Sequence, residues 1–188
     1  AECDGDAASF TVTATGTSLT YQWQVDNGGG YSNLTDGGVY SNATTNTLTI
    51  SDINGLGGFD YRVVVSETSG TQSCPLNSVG VTLTVDPTPT ISVQPVAQAS
   101  CDGDGASFSV TATGTSLTYQ WRENGGNLSD GGVYSGTSTA SLSISDVNGL
   151  NANTYDVIVT ETSGSQSCPV TSSAVGLTVD PIPTSTLQ

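Results

Sequence analysis

"ASFTVTATGTSLTYQW", residues 8–23, recurs with one change as "ASFSVTATGTSLTYQW", residues 106–121. Phe10, Val12 and Ala14 alternate with Thr11, Thr13 and Thr15, so the segment has an apolar face and a hydroxyl face with a period of two. That period belongs to a strand buried on one side. After "GTS", Leu19, Tyr21 and Trp23 repeat the alternation and predict a second strand. Further along come Leu48 and Ile50, then Tyr61, Val63 and Val65, then Val81, Leu83 and Val85. Turn-forming "NGGG", "DGG", "NGLGG" and "TSG" separate these runs, and no window carries a helical period. The pattern predicts an all-β protein.

The duplication sets the domain organisation. The first block repeats at an offset of 98 residues. "DGGVYS", "LTISDINGL" (as "LSISDVNGL") and "SETSGTQSCP" (as "TETSGSQSCP") repeat at 94. The offset changes where "QVDNGGGYSNL" shrinks to "RENGGNL", a deletion that a loop tolerates and a strand interior does not. The 188 residues therefore hold two small sandwiches, expected at 1–86 and 87–180, with the Pro-stiffened "DPTPT" joining them.

Composition excludes several classes of function. Seventeen acids stand against two bases, Arg62 and Arg122, for a net charge of −15. Nucleic acid is excluded as a partner, because phosphate binding needs clustered cations. An anionic membrane surface repels such a chain, and no apolar run is long enough to span a bilayer. There is no His and no Lys, which removes the commonest general bases and metal ligands. No catalytic constellation assembles from what remains, and nearly every acid has a counterpart in the other repeat. The expectation is a protein that is not an enzyme. Four cysteines, two per repeat, sit in polar turn-like surroundings, as in an oxidising, extracellular setting.

Three motifs invite a binding reading. Asp4 and Asp6 in "ECDGD", with Asp86 at the end of the repeat, offer hard oxygen ligands for calcium; the alternative is that they are solvated turn formers. "SDINGL" and "SDVNGL" echo part of an EF-hand loop without its remainder. Tyr31, Tyr40 and Tyr134 offer rings for stacking on sugars, and surface glycans are the ligand class this implies; packing on the sandwich is the alternative. Asn33, Asn42 and Asn127 stand in N-glycosylation sequons.

The order of "YQW", "TLTI" and "Y-x-V" before a final hairpin resembles the immunoglobulin fold, with strands B, C, E, F and G in that order. The resemblance implies two tandem immunoglobulin-like β-sandwiches in an elongated array, the first without its own strand A. It implies core roles for Trp23 and Trp121 between the sheets and for Tyr61 and Tyr155 at the strand F corner. Val12 with Val63, and Val110 with Val157, take the places of the usual inter-sheet disulfide. The motif "QP-x-x-Q-x-x-C-x-G", followed by "F-x-V-x-A-x-G" and "L-x-Y-x-W", more closely resembles the tandem modules of Bacteroidetes surface adhesins and secreted fibrous proteins. Some fibrous proteins of this fold carry Lys–Asn cross-links, which a chain without lysine cannot form.

The implied topology also bears on the cysteines. Cys3 and Cys101 fall at the pole where strand G ends, and Cys74 and Cys168 at the opposite pole. A strand of about seven residues separates the poles by roughly 20 Å, and a disulfide needs Cα atoms within roughly 7 Å, so pairing inside one sandwich is strained. The resemblance therefore favours Cys3–Cys168 across the domains and Cys74–Cys101 between copies. Cys3–Cys74 and Cys101–Cys168 within the domains remain the alternative.

The phrase "DPIPTSTLQ" closing the sequence copies "DPTPTISVQ", residues 86–94, which leads into the second repeat. Pro181, Ile182, Pro183, Thr184, Ser185, Thr186, Leu187 and Gln188 thus read as a strand A for a following domain. The functional expectation is a structural repeat of an extracellular filament or adhesin stalk, with copies of itself as partners, joined head to tail by strand addition and disulfides. The alternative is a carbohydrate- or ligand-binding module of a surface adhesin.

Overall fold

All regular structure in the computed structural model, which describes residues 1–69 and 72–183, is β-strand. The predicted "TSG" turn reaches residue 70, and most of the strand-like tail is residues 184–188; both lie outside the described residues. The chain divides into two units, Ala1–Asp86 and Pro87–Gln188.

Unit 1 runs β1 (Glu2–Cys3), β2 (Ala8–Thr11), β3 (Leu19–Asp26), β4 (Ser32–Asn33), β5 (Tyr40–Ser41), β6 (Thr47–Ile50), β7 (Asp60–Ser69), β8 (Gln72–Asn77), β9 (Val81–Thr82) and β10 (Val85–Asp86). One sheet has the order β2-β6-β5, and the facing one β4-β3-β7-β8 with β9 also on β7. β1 pairs parallel with β10, setting Cys3 opposite Asp86. Unit 2 runs β11 (Thr90–Val93), β12 (Gln98–Cys101), β13 (Ala106–Ser109), β14 (Thr111–Thr113), β15 (Leu117–Glu123), β16 (Gly126–Asn127), β17 (Tyr134–Ser135), β18 (Ser141–Ile144), β19 (Thr154–Glu161), β20 (Cys168–Thr171) and β21 (Val175–Asp180). Its sheets are β13-β18-β17 and β12-β21-β19-β15-β16, with β20 on β19 and β11 paired to β14.

The alternating residues meet across the ladders. Phe10 lies opposite Leu48 and Ala8 opposite Ile50, while Trp23 lies opposite Val63. Each unit closes its own core around one tryptophan. Trp23, Leu48, Ile50, Tyr61 and Val63 are buried in unit 1, as are Trp121, Leu142, Ile144, Tyr155 and Val157 in unit 2. A buried indole N–H needs an acceptor. Trp23 Nε1 donates to the Thr45 carbonyl and Trp121 Nε1 to the Thr139 carbonyl, both at 2.9 Å. Phe10 stacks on Tyr61 with centroids 4.9 Å apart, and Phe108 on Tyr155 at 4.7 Å.

Valines fill the place of the inter-sheet disulfide in both units, with one difference. Val110 is buried, whereas Val12 is half-buried and packs against the core from its margin. The four-residue deletion falls in a hairpin loop. In unit 1, Asp26 Oδ1 accepts from the N–H groups of Gly28 and Gly30 to order the longer connection. In unit 2 the connection between β15 and β16 is Asn124-Gly125, with φ of 48° and 81°, the left-handed pair that suits a two-residue hairpin.

Candidate functional site

The two units carry the same residues on one sheet edge and finish it differently. In unit 2, β11 lies antiparallel to β14, with Thr90 opposite Thr113, Ile91 opposite Ala112 and Val93 opposite Thr111. Ser92 Oγ donates to the Thr111 carbonyl at 3.2 Å, and Gln94 Oε1 accepts from the Ser173 N–H at 2.9 Å. Ile91 packs against the core, and Pro95 is buried just beyond β11. Under this cover Phe108 is 1% exposed and Val110 5%.

In unit 1 no strand among the described residues lies against residues 12–15, although Val12-Thr13-Ala14-Thr15 repeats Val110-Thr111-Ala112-Thr113 letter for letter. The edge opens into a cleft of about 450 Å³ that reaches from Val12 and Ala14 to Leu19, Val65, Cys74 and Leu76. A second cleft, of about 510 Å³, reaches from Phe10 to Val81 and Leu83, and a smaller one of about 140 Å³ lies between them. Leu76, Val79 and Val81 are 74%, 87% and 53% exposed on this side. Phe10 and Val65 are half-buried, whereas Phe108 and Val159 are fully buried. Sequence reasoning missed Leu76, Val79 and Val81 as site residues. The available signal was an apolar residue, Val79, where the other repeat has Ser173.

The cysteines differ in state. Cys3 and Cys168 are each disulfide-bonded, while Cys74 and Cys101 are exposed free thiols. Cys74 lines the cleft beside residues 12–15, and Cys101 sits on β12 opposite Asp180. The alternative pairings within the domains each require one of the two free thiols, so neither is formed.

The acids serve turns. Asp6 Oδ2 accepts from the Cys3 N–H, Asp86 is buried, and no group of three or more metal-ligating side chains converges among the described residues. Asp4, Asp6 and Asp86, the residues of the calcium reading, are not brought together as such a group among the described residues. The EF-hand echo is likewise local, because Asp52 caps the Asn54 N–H and Asp146 the Asn148 N–H, an Asx turn in each repeat. Glu161 is buried beside the Thr115–Ser116 turn. Burial raises its pKa, but the N–H groups of Thr115 and Ser116, at 2.5 and 2.8 Å, and that of Ser163 outweigh this and hold it at about 2. Glu67 is its counterpart, lowered by the N–H and hydroxyl of Thr17.

The tyrosines do not form a stacking surface. Tyr40 is half-buried with its hydroxyl 3.1 Å from that of Tyr61. Tyr134 and Tyr155 both donate to Glu123 Oε1, at 2.6 and 2.7 Å. Burial, reinforced by these bonds, pushes the Tyr61 and Tyr155 hydroxyls well above the usual phenol range. The Arg62 guanidinium covers the ring of Tyr31 at 3.7 Å from its centroid. Asn33, Asn42 and Asn127 are exposed.

Comparison with known proteins agrees with this architecture. Residues 89–173 match the immunoglobulin I-set domain. Among solved structures the chain is similar to Drosophila OTK, extracellular domains 3-5, with 22% identity and a TM-score of 0.56 over 95% of this chain and 58% of that one. It thus spans less than two thirds of that structure's length. Weaker likenesses are an I-band fragment of titin (16% identity, TM-score 0.49, 96% and 62% coverage) and tandem Ig repeats of Dlar (20%, 0.46, 96% and 92%). No curated protein sequence matches. The I-set match and the likeness to the OTK domains carry the immunoglobulin part of the resemblance read from the sequence and not its Bacteroidetes part. The chain is a tandem of two immunoglobulin-like β-sandwiches, the second of which matches the I-set domain.

Proposed function

We propose that this chain is a non-catalytic structural repeat of an extracellular filament or adhesin stalk, with copies joined head to tail by strand addition and disulfides. The observation that carries the reading is the unequal finish of two identical edges: unit 2 has a strand on residues 111–113, and residues 13–15 of unit 1 have none among the described residues. An open edge backed by exposed Leu76, Val79 and Val81 is a hazard for an isolated protein and a docking surface for an assembling one. A surface with net charge −15 keeps free copies soluble until a specific contact forms. A head-to-tail contact between unlike surfaces does not close on itself, and so propagates as a fibre.

The cysteine states support the covalent part of the reading. Cys3 and Cys168 are oxidised, consistent with Cys3–Cys168 within a chain, and exposed Cys74 and Cys101 are left to join successive copies. Extracellular disulfides suit both roles.

Electron microscopy of the purified chain, with and without residues 181–188, tests the assembly. Filaments from the full chain and discrete particles from the truncated one are expected. Normal filaments from the truncated chain overturn strand addition. Peptide mapping of unreduced filaments grown from mixed isotope-labelled and unlabelled chains should yield Cys74–Cys101 peptides that join the two kinds of chain, and their absence overturns the covalent link.

A further inference from the structure

We propose that residues 12–15 of unit 1 form the acceptor for residues 184–188 of a second copy, bound antiparallel in the register that β11 keeps in unit 2. The proposal rests on the head-to-tail reading above and names its binding site.

The template is within the molecule. Residues 90–94, "TISVQ", occupy the edge of unit 2, and residues 184–188, "TSTLQ", are their counterparts at an offset of 94. The acceptor residues are identical in the two units. Transferring the observed register sets Thr184 opposite Thr15, Ser185 opposite Ala14 and Leu187 opposite Thr13. Thr186 then stands where Ser92 donates to the Thr111 carbonyl, facing the carbonyl of Thr13. Gln188 stands where Gln94 accepts from the Ser173 N–H, facing the N–H of Val79. Main-chain pairing supplies affinity, as in other cases of strand addition.

The proposed donor is a second copy. β11 enters unit 2 beside Thr113, and β21 leaves at Asp180, paired with Cys101 at the other end of the sheets. Running back along unit 2 means retracing the eight residues of β19, about 26 Å at roughly 3.3 Å per residue. Residues 181–188 span about that far when fully extended, so residues 184–188 cannot both retrace unit 2 and lie in a groove.

One substitution distinguishes this site from generic stickiness. Ser185 falls where Ile91 packs on the core, so the donor leaves apolar surface around Leu19, Val65 and Leu76 uncovered. Ser185→Ile should lower the concentration for half-assembly by about tenfold, as expected for burying one aliphatic side chain. Thr184→Pro and Ser185→Pro together remove the N–H groups at two neighbouring paired positions, those of Thr90 and Ile91 in unit 2, and should abolish assembly. These changes all lie beyond β21, the last described strand of unit 2.

The experiment is sedimentation of the full chain across a concentration series, with hydrogen exchange of the amides of residues 13–15 and 79, the Val12 N–H being already bonded to the Asn46 carbonyl. Wild-type amides should become protected as copies assemble and stay unprotected at every concentration in the chain carrying Thr184→Pro and Ser185→Pro. Assembly with no change in exchange at residues 13–15 overturns the acceptor site and leaves the head-to-tail reading standing. A wild-type chain monomeric at all concentrations overturns both. Protection that does not depend on concentration means the groove is filled from its own chain, and overturns the second copy as donor.

Discussion

Phe10 and Phe108 are the same residue in the two repeats, yet truncating them should cost different amounts. Phe108 is 1% exposed, with its ring stacked 4.7 Å from Tyr155 and tilted 6.3 Å from Trp121. Phe108→Ala removes a fully buried ring and leaves a cavity, at about 3–5 kcal/mol. Phe10 keeps the equivalent partners, Tyr61 at 4.9 Å and Trp23 at 6.3 Å, but lines two open clefts and is half-buried. Part of its surface already meets water and the space it leaves is open to solvent, so Phe10→Ala should cost about 2 kcal/mol. Each unit has one tryptophan, so a Trp121→Phe background reports unit 1 and a Trp23→Phe background reports unit 2. At a guanidinium slope of about 2 kcal/mol per M, the midpoint should fall by about 1.5–2.5 M for Phe108→Ala and about 1 M for Phe10→Ala, each against its own background. Equal shifts would mean that the open edge does not expose Phe10, and the energetic asymmetry of the units would be refuted.

Other outcomes follow from the buried polar groups and the thiols. Glu161 has a folded pKa of about 2, below its unfolded value of roughly 4.3, so its contribution is fully present above the unfolded value and lost as pH falls through the folded one. The gap in unfolding midpoint between wild type and Glu161→Gln should therefore be constant at neutral pH and close between about pH 4.5 and pH 2; a gap that persists at pH 2 contradicts this. Arg122 makes two bonds to the partly buried Asp156, at 2.6 and 3.1 Å. A double-mutant cycle with Arg122→Gln and Asp156→Asn should return a coupling of about 1 kcal/mol, and a zero coupling would make the pair a surface ornament. A thiol reagent added to the native monomer should label Cys74 and Cys101 alone, and all four cysteines only after reduction and unfolding.

What was legible in the sequence is what is local. The alternation in residues 8–23 set the strands and their inward faces. Trp23, Tyr61, Val63 and their counterparts are buried where the repeat placed them. The shift of offset located the shortened hairpin at Asn124-Gly125. The sequence was less informative about groups whose role depends on what faces them. Asp6 reads equally as a calcium ligand and as a turn acceptor until its carboxylate is found on the Cys3 N–H. Tyr40 and Tyr134 became inward hydrogen-bonding groups only once Tyr61 and Glu123 were beside them.

The plainest case is "VTAT". By itself the sequence predicted a strand with an inward apolar face through these residues in each repeat, and the structure forms it at Thr111–Thr113 while the unit 1 strand β2 ends at Thr11. The sequence could not say that Val110 is 5% exposed and Val12 half-buried, because the two segments are identical. Only the tertiary structure decided that, through β11 on one edge and clefts along the other. The physical reason is that alternation tells which face of a strand turns inward, whereas burial is a property of the neighbour that covers it.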